Sequence, residues 1–366
     1  MKKRTLTTAA VIVGVAAVVA TTAVVAITTG NSEAQASAHD DMVVGTIWVG
    51  NEDGASLTAI DASTNKVATT LTGIDSPHNV QATQGGRSIW AVSGTTSVAV
   101  EIDVKTNEVQ GTVSTGAMPA HVIVTPDETR TYTTNNADDT VSAFDIATMT
   151  TIATIPVGPG PHGLRPSPDG TTIYVANIDG STLSVIDTAT NTQIDEIEVG
   201  ESPAQVAFSP DGKFVYASLN AENAVAKVDT TTRQLVATIS TGAGPIQTFA
   251  SPDGKYVLVA NQGTEEQPSS TVSVVDTATF DVVRTVKTGA GAHGVVIDPT
   301  SQHAYITNMF EDTVSVLDLT TLTVVATIPV GSTPNGITFS SQATETAPPV
   351  DLDLAGQDTG MSGMEH

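Results

Sequence analysis

Four of the seven histidines in the chain lie at one end of a repeated strand pattern. His78, His162 and His293 occupy equivalent places in their repeats, and His121 lies one position later in its own. Imidazole is the commonest protein ligand for zinc, copper, nickel and iron. Three or four converging imidazoles suffice to hold such an ion. The four histidines are therefore the predicted metal site, and copper is the first metal to consider.

A second interpretation of these histidines stays open. Pro-His-Gly belongs to the repeat itself, so an imidazole there can simply form a hydrogen bond with neighbouring backbone. Because His121 is one residue out of register, its side chain is expected on the other face of its strand, which favours a site of three histidines over one of four. Amide side chains at the same level are the candidate ligand-binding residues: Asn79, Gln205, Gln247 and Asn335.

The element that must position these residues is a unit of about 42 residues that occurs seven times. An aspartate ends a similar strand pattern in each unit, and successive spacings are 42, 42, 42, 42, 47 and 42. An insertion at residues 263–269 explains the longer spacing. Each unit reads as four short strands with alternating polarity, separated by Gly, Pro and Asn turns. The seven aspartates are Asp61, Asp103, Asp145, Asp187, Asp229, Asp276 and Asp318.

The ends of the repeat region predict how the fold closes. The first unit begins at its second strand, near Thr46, and the last unit stops after its first strand, near Ser340. The C-terminal strand therefore completes the blade that the N-terminal strands begin. We predict an all-β fold over residues 43–340: a seven-bladed β-propeller with four antiparallel strands per blade. The first strand of each unit lines the central channel, with the histidines at one mouth.

Residues 161–191, which read PHGLRPSPDGTTIYVANIDGSTLSVIDTATN, resemble the YVTN-type propeller repeat. That family includes bacterial periplasmic YncE-like proteins and archaeal surface-layer propellers, and the resemblance extends over all seven units. It implies the propeller fold and a role as a surface protein or partner-binding disc. DNA binding, described for one relative, is not expected here, because 39 acidic residues against 14 basic ones repel a phosphate backbone.

The most regular polar positions are expected to be structural. An aspartate before Thr in a turn caps backbone N–H groups, which argues against a catalytic ring of the seven aspartates. Asn135, Asn177, Asn261 and Asn308 are expected to tie the second strands to their loops. Ser-Pro-Asp-Gly sequences such as residues 167–170 predict type I turns. None of the common nucleophile, metalloprotease or nucleotide-binding motifs is present.

Acidic loops surround the predicted site on the same face of the disc. They can hold Ca²⁺ or attract a cationic partner, or they can be ordinary solvated loops. The chain has no cysteine, so disulfides and thiolate metal sites are excluded. The acidic positions are Glu52, Asp53, Asp138, Asp139, Asp179, Glu222, Glu265, Glu266, Glu311 and Asp312.

The two termini differ in character from the repeats. Residues 1–38 combine a basic start, an apolar run and small residues, which predicts a signal peptide; an uncleaved membrane anchor is the alternative. Cleavage there would place His39 at or near the new N-terminus, a copper-binding arrangement. Residues 341–366 read as a disordered tail. The tail ends in Met361, Met364 and His366, side chains that suit copper.

Together these observations predict an extracytoplasmic protein, secreted or associated with the cell envelope. We expect a monomeric scaffold that binds a protein or small ligand on its loop face and contacts a membrane only through an uncleaved leader. The alternative is a metal-binding protein or metalloenzyme that uses the histidine cluster. No reaction is predicted, although a propeller active site assembled from distant blades would leave little trace in the sequence.

Overall fold

The computed structural model describes residues 43–352 and residue 354. The regular elements among them are β-strands, joined by turns and loops, and one 3-10 helix at Asn136–Asp138. The first strands along the chain are β1 (Thr46–Asn51), β2 (Ser56–Asp61), β3 (Lys66–Thr72), β4 (Pro77–Ala82), β5 (Ser88–Ser93), β6 (Val98–Asp103), β7 (Val109–Ser114), β8 (Pro119–Val124), β9 (Arg130–Asn135), β10 (Thr140–Asp145), β11 (Thr150–Pro156), β12 (Pro161–Pro166), β13 (Thr172–Asn177), β14 (Thr182–Asp187) and β15 (Thr192–Glu198). They are followed by β16 (Pro203–Phe208), β17 (Phe214–Leu219), β18 (Ala224–Asp229), β19 (Gln234–Ser240), β20 (Pro245–Ala250), β21 (Tyr256–Gly263), β22 (Pro268–Asp276), β23 (Asp281–Lys287), β24 (Ala292–Ile297), β25 (His303–Asn308), β26 (Thr313–Asp318), β27 (Thr323–Pro329), β28 (Pro334–Ser340) and β29 (Val350–Asp351).

These strands form seven sheets, and the predicted seven-bladed propeller is confirmed. Six sheets are four-stranded meanders in chain order, such as β4-β5-β6-β7. The seventh has the order β28-β1-β2-β3-β29, so the C-terminal strand β28 supplies the inner strand of the blade that the N-terminal strands begin. The ring therefore closes by antiparallel pairing of β28 with β1, as predicted.

The core consists of seven apolar clusters, one between each pair of adjacent blades. Each cluster joins side chains from one face of a blade to those of the facing blade, as the alternating strand pattern requires. A large aromatic side chain on the second strand is almost fully buried in six of the seven blades, so few aromatics suffice for the core. These residues are Trp48, Trp90, Tyr132, Tyr174, Tyr216 and Tyr305.

Aspartate turns close the outer hairpins of the blades, as predicted. In the turn after β14, Asp187 Oδ1 accepts hydrogen bonds from the backbone N–H and hydroxyl of Thr190, both at 2.8 Å. Equivalent bonds from backbone N–H groups reach the other six aspartates that end third strands. These carboxylates are thus committed to the scaffold, at the opposite end of the blades from the histidines.

Asparagines at the ends of second strands stabilise the hairpins formed by the second and third strands of the blades, called the inner hairpins here. Asn135 Nδ2 donates to the hydroxyls of Thr140 and Ser142, both at 2.9 Å. Asn177, Asn261 and Asn308 make the same pair of bonds to the third strands of their blades. These asparagines are therefore structural, and the bonds named here tie each second strand to the third strand rather than to the loop between them.

Beyond Ser340 the structure differs from the predicted disordered tail. Residues 341–352 follow the outside of the closing blade, where Val350 and Asp351 pair in parallel with Leu71 and Thr72. Leu352 is buried in the core cluster between this blade and the next. Val350 and Leu352 thus pack against a surface that exists only once the closing blade has formed.

Other predictions about the termini lie outside the described residues. These concern the leader at residues 1–38, His39, and the tail ligands Met361, Met364 and His366. Within the described part of the chain, no helix is long and apolar enough to cross a membrane. The insertion at 263–269 is described, and it lengthens the β21–β22 hairpin beyond those of the other blades.

Candidate functional site

The candidate site lies where the inner strands begin, at one mouth of the central channel. Each inner strand that carries a clustered histidine enters through a proline and has a register shift against its neighbour: at Pro77/Asn79 in β4, Pro119/Val122 in β8 and Pro161/Leu164 in β12. A β-bulge breaks the strict alternation of side chains along a strand. Consecutive residues at these points can therefore both face the channel.

Three of the four predicted histidines meet at this mouth. His78 Nε2 lies 3.3 Å from His162 Nε2, although the residues are 84 positions apart. Candidate ligand atoms of His78, His121 and His162 all lie within 4.8 Å of one another. Within the described residues, no other group of three His, Cys, Asp or Glu side chains comes this close.

The composition of this trio corrects one expectation from the sequence. His121 was expected to point away because of its register, but its ring centroid is 4.7 Å from that of His162 and its side chain is fully buried. His293 lies beside the trio instead, with its ring centroid 6.5 Å from that of His78. The bulge in β8 breaks the strict alternation of side chains on which the expectation for His121 rested.

The Nδ1 atoms of His78 and His162, which point away from the contact between the two rings, already have polar partners. His162 Nδ1 donates to the Ala204 carbonyl oxygen at 2.9 Å. His78 Nδ1 is 3.3 Å from Glu52 Oε1, and the other oxygen of that carboxylate accepts a 2.8 Å bond from Asn335 Nδ2. Because a carbonyl only accepts, the proton of neutral His162 sits on Nδ1, and its Nε2 presents a lone pair to His78. His78 Nδ1 faces both the Glu52 carboxylate and, at 3.1 Å, the amide donor Asn335 Nδ2, so its contacts are compatible with either tautomer.

Burial favours the uncharged form of His121, His162 and His293. Desolvation, with a further contribution from His78, lowers the pKa of His162 to about 4 and that of His293 to about 3. Desolvation and the neighbouring imidazoles hold the pKa of His121 well below its usual range. Neutral imidazole is the form that binds metal ions.

Glu52 is the residue of the site that the sequence analysis missed. It was grouped with the acidic loops, yet its carboxylate holds both His78 and Asn335. Burial opposes its ionisation, but the hydrogen bond from His78, the attraction to that ring and the bond from Asn335 together lower the pKa of Glu52 to about 2. Its position in the loop between a second and third strand was the available signal, because those loops share the face of the histidines.

The predicted amide residues have different surroundings. Asn335 belongs to the histidine site through Glu52. Gln205 Nε2 lies 3.3 Å from His121 Nδ1, while its oxygen accepts from the Val206 N–H. Asn79 Oδ1 accepts a 3.3 Å bond from the backbone of Val122 and so links two blades. Gln247 is buried, and its Nε2 has no hydrogen-bond partner among the described residues.

Several carboxylates in the acidic loops accept hydrogen bonds from backbone N–H groups. Asp139 Oδ1 accepts from the Gly160 N–H at 2.8 Å, and Asp312 Oδ1 accepts from the Thr333 N–H at 2.9 Å. These two bonds link the loop of one blade to the segment entering the inner strand of the next. Glu222 and Asp138 instead accept from the Glu201 and Ala117 N–H groups, at 2.7 Å and 2.6 Å, in the segments entering the inner strands of their own blades. All four carboxylates therefore stiffen the mouth around the histidines.

Comparison with known protein families identifies the repeat. The model of the YncE-like β-propeller family matches residues 128–236 and 213–347, which together exceed half of the chain. The chain belongs to the YncE-like β-propeller family. No curated protein matches the chain.

Solved structures show how widely this YncE-like fold is shared. Hydrazine synthase from Kuenenia stuttgartiensis is similar at 25% identity, over 71% of this chain and 88% of that one, with a TM-score of 0.64. A functionally unknown protein from Desulfotomaculum acetoxidans has 18% identity over 81% and 98% of the two chains and a TM-score of 0.72. A putative 6-phosphogluconolactonase from Bacteroides uniformis has 19% identity over 81% and 99% and a TM-score of 0.69. The last two likenesses concern the fold alone, since one propeller fold serves many functions.

Proposed function

We propose that this YncE-like propeller binds a transition-metal ion, copper first, through His78, His121 and His162. The observation that carries the proposal is the convergence of three imidazoles, with His78 Nε2 and His162 Nε2 3.3 Å apart and His121 beside them. Two imidazole nitrogens at that distance either share a proton that one ring carries or bind a cation between them. A metal ion bound by the three rings would gain three ligand bonds, and burial keeps His121 and His162 in the neutral form that binds metal.

The distance also suits a metal ion. Two nitrogens bound at about 2.05 Å with a tetrahedral angle lie about 3.3 Å apart. The third ring requires adjustment, because two ligands of one ion can be at most about 4.1 Å apart and the trio extends to 4.8 Å. His121 Nε2 is buried with no partner among the described residues, so a small ring rotation towards the ion would break no bond at that atom.

Features around the trio favour copper over zinc. Met118, whose side chain is 61% exposed, lines the same cavity as His78 and His162. Thioether sulfur is a soft ligand that suits Cu(I), and imidazole suits both copper oxidation states. Glu52 would orient His78 and raise its basicity, as carboxylates behind metal-bound histidines do.

The proposed setting is extracytoplasmic, supported by the leader-like N-terminus and the absence of cysteine. In that setting the loop face would serve as a scaffold for a partner or small ligand, and the metal site lies on that same face. The protein would act as a monomer. The high negative charge, −25, supports cation binding and opposes nucleic acid as a partner.

Metal analysis of protein prepared without an affinity tag tests the proposal. After chelation and separate loading with copper and zinc, we expect about one tightly bound metal ion per chain, with copper displacing zinc. His78→Gln and His162→Gln should each abolish this binding, while His303→Gln, which alters a histidine outside the cluster, should retain it. Glu52→Gln should weaken affinity by roughly 10–100-fold.

Two results would contradict the proposal. One is a metal content far below one per chain after both loadings. The other is equal metal content in His162→Gln and wild-type protein, which would place the ion elsewhere, such as on the termini. Zinc retention in preference to copper would keep the site and reject the choice of copper.

A further inference from the structure

The opposite mouth of the channel contains a second cavity, of about 450 Å³. It is lined where the inner strands end, by residues of β4, β8, β12, β16 and β20 and by the turns that follow them. The histidines lie where these same strands begin. The two sites therefore occupy opposite ends of the inner strands, and the second does not depend on the proposed metal site.

Arg165 carries the positive charge beside this cavity, at a height in the channel where the other six inner strands have neutral residues. It is the fifth residue of its inner strand, and the six equivalent positions in the other blades are neutral. Arg165 is partly exposed to the cavity and otherwise surrounded by protein, so its charge loses part of its hydration and gains from an anionic partner. The neutral residues at the equivalent positions are Gln81, Ile123, Ala207, Phe249, Val296 and Thr338.

The described residues supply no anionic partner for Arg165. Within the described residues, no carboxylate lies within 4.0 Å of the Arg165 guanidinium. Its one hydrogen bond runs from Nη1 to the neighbouring Leu164 carbonyl oxygen at 3.0 Å. A guanidinium has five N–H donors, so most of them remain available to the cavity. Surrounding protein desolvates the group and lowers the pKa of Arg165 to about 10, so the charge persists at neutral pH.

We propose that this second cavity binds a small organic carboxylate, with Arg165 as the anchor for the carboxylate group. The planar guanidinium matches a carboxylate in a two-point hydrogen-bonded pair. Phe208 and Phe249 also line the cavity and offer apolar surface to the body of the ligand. The volume falls within the range of small-molecule sites, about 300–1,000 Å³.

The apolar surface distinguishes this ligand class from an inorganic anion. Phosphate or acetate could meet the guanidinium but would leave the phenyl rings without a partner. The overall charge of −25 repels every anion at long range, so binding must come from contacts inside the cavity. We therefore expect an anion with an apolar body to bind better than a small inorganic one.

Binding of three probes to wild-type protein, measured by titration calorimetry, tests this inference. Benzoate carries both features, benzyl alcohol carries the apolar body alone, and inorganic phosphate carries the charge alone. We expect saturable binding of benzoate and at least about tenfold weaker binding of the other two. Equal binding of benzyl alcohol, stronger binding of phosphate, or no benzoate binding at millimolar concentration would overturn the proposal.

Variants locate the bound probe. Arg165→Gln should lose at least about tenfold in benzoate affinity, whereas Arg233→Gln should not. Arg233 is the matched control because its guanidinium pairs with Asp195 at 3.3 Å on the outer part of a blade. Unchanged benzoate affinity in Arg165→Gln would overturn the proposal. If that variant does not fold, the comparison of the three probes on wild-type protein tests the proposal by itself.

Discussion

At the scale of single residues, the buried members of the histidine cluster are incompletely hydrogen-bonded. His121 Nε2 and His293 Nδ1 are buried and have no hydrogen-bond partner among the described residues. Most buried polar atoms in folded proteins are paired, because an unpaired one costs about 1–3 kcal/mol. The unpaired nitrogens of His121 and His293 therefore represent a cost to folding, which a cation bound to the cluster would offset in part.

The buried, neutral state of His293 predicts a pH dependence of stability in metal-free protein. Its pKa is about 3 in the folded state, against about 6.5 when unfolded. Between those values the unfolded chain binds the proton and the folded chain does not, so stability falls as pH falls below about 6.5. From pH 7 to pH 5 this residue should account for about 2 kcal/mol of lost stability.

Urea unfolding of chelated wild type and His293→Gln at pH 7 and pH 5 measures this contribution. Other titrating groups affect both proteins alike, so the loss between the two pH values should be about 2 kcal/mol smaller in the variant. His293 is not among the three proposed metal ligands, which keeps this test separate from metal binding. Equal losses in the two proteins would show that the histidine is not held neutral by burial.

At the scale of structural elements, five of the seven hairpins between second and third strands contain an asparagine whose surroundings differ between blades. Asn135 and Asn177 make the same two bonds to third-strand hydroxyls. Asn135 Oδ1 also accepts from the Gly116 N–H at 3.0 Å. Asn177 Oδ1 has no such partner among the described residues, because the equivalent Gly158 N–H donates to Ser184 instead.

This difference predicts unequal effects of one substitution in two blades. Asn135→Ala would leave the Gly116 N–H unpaired as well as two hydroxyls, whereas Asn177→Ala would also remove an unsatisfied oxygen. We expect Asn135→Ala to destabilise by about 2–3 kcal/mol and Asn177→Ala by about 1 kcal/mol less. Thermal and urea unfolding measure both, with the exposed Gln234→Ala as an amide control near zero. The reverse order would contradict the assigned roles of these bonds.

At the scale of the whole molecule, two segments near the C-terminus contribute to the closing blade. Strand β28 completes a blade from inside, and residues 341–352 then cover the outer strand β3 of the same blade. Leu352 fills part of the core between two blades, and the Leu352 N–H donates to the Thr72 carbonyl oxygen at 2.9 Å. Strand β28 closes the ring, and residues 341–352 add stability to the closed blade.

Truncation separates these two contributions. A chain ending at Ser340 should fold but lose roughly 2 kcal/mol, or several degrees in melting temperature, because Leu352 and its bonds are removed. A chain ending at Thr333 lacks β28 and should not form the closed ring. Circular dichroism and thermal melting measure these effects, with a chain ending at Leu354 as the control expected to match the full protein. Full stability at Ser340, or a cooperative fold at Thr333, would contradict this account.

The sequence by itself determined the architecture and the location of the histidines. Strand period, Asx turns such as that of Asp187, and the incomplete first and last units are properties of contiguous residues, so they predict seven blades and their closure. They also place His78 and His162 at one channel mouth. The tertiary structure alone decided which atoms meet there, because bulges and blade packing turn His121 inward, leave His293 aside and bring Glu52 to His78. Only packing, likewise, reveals that Arg165 faces a cavity without a counter-charge, since that arrangement depends on residues from separate blades.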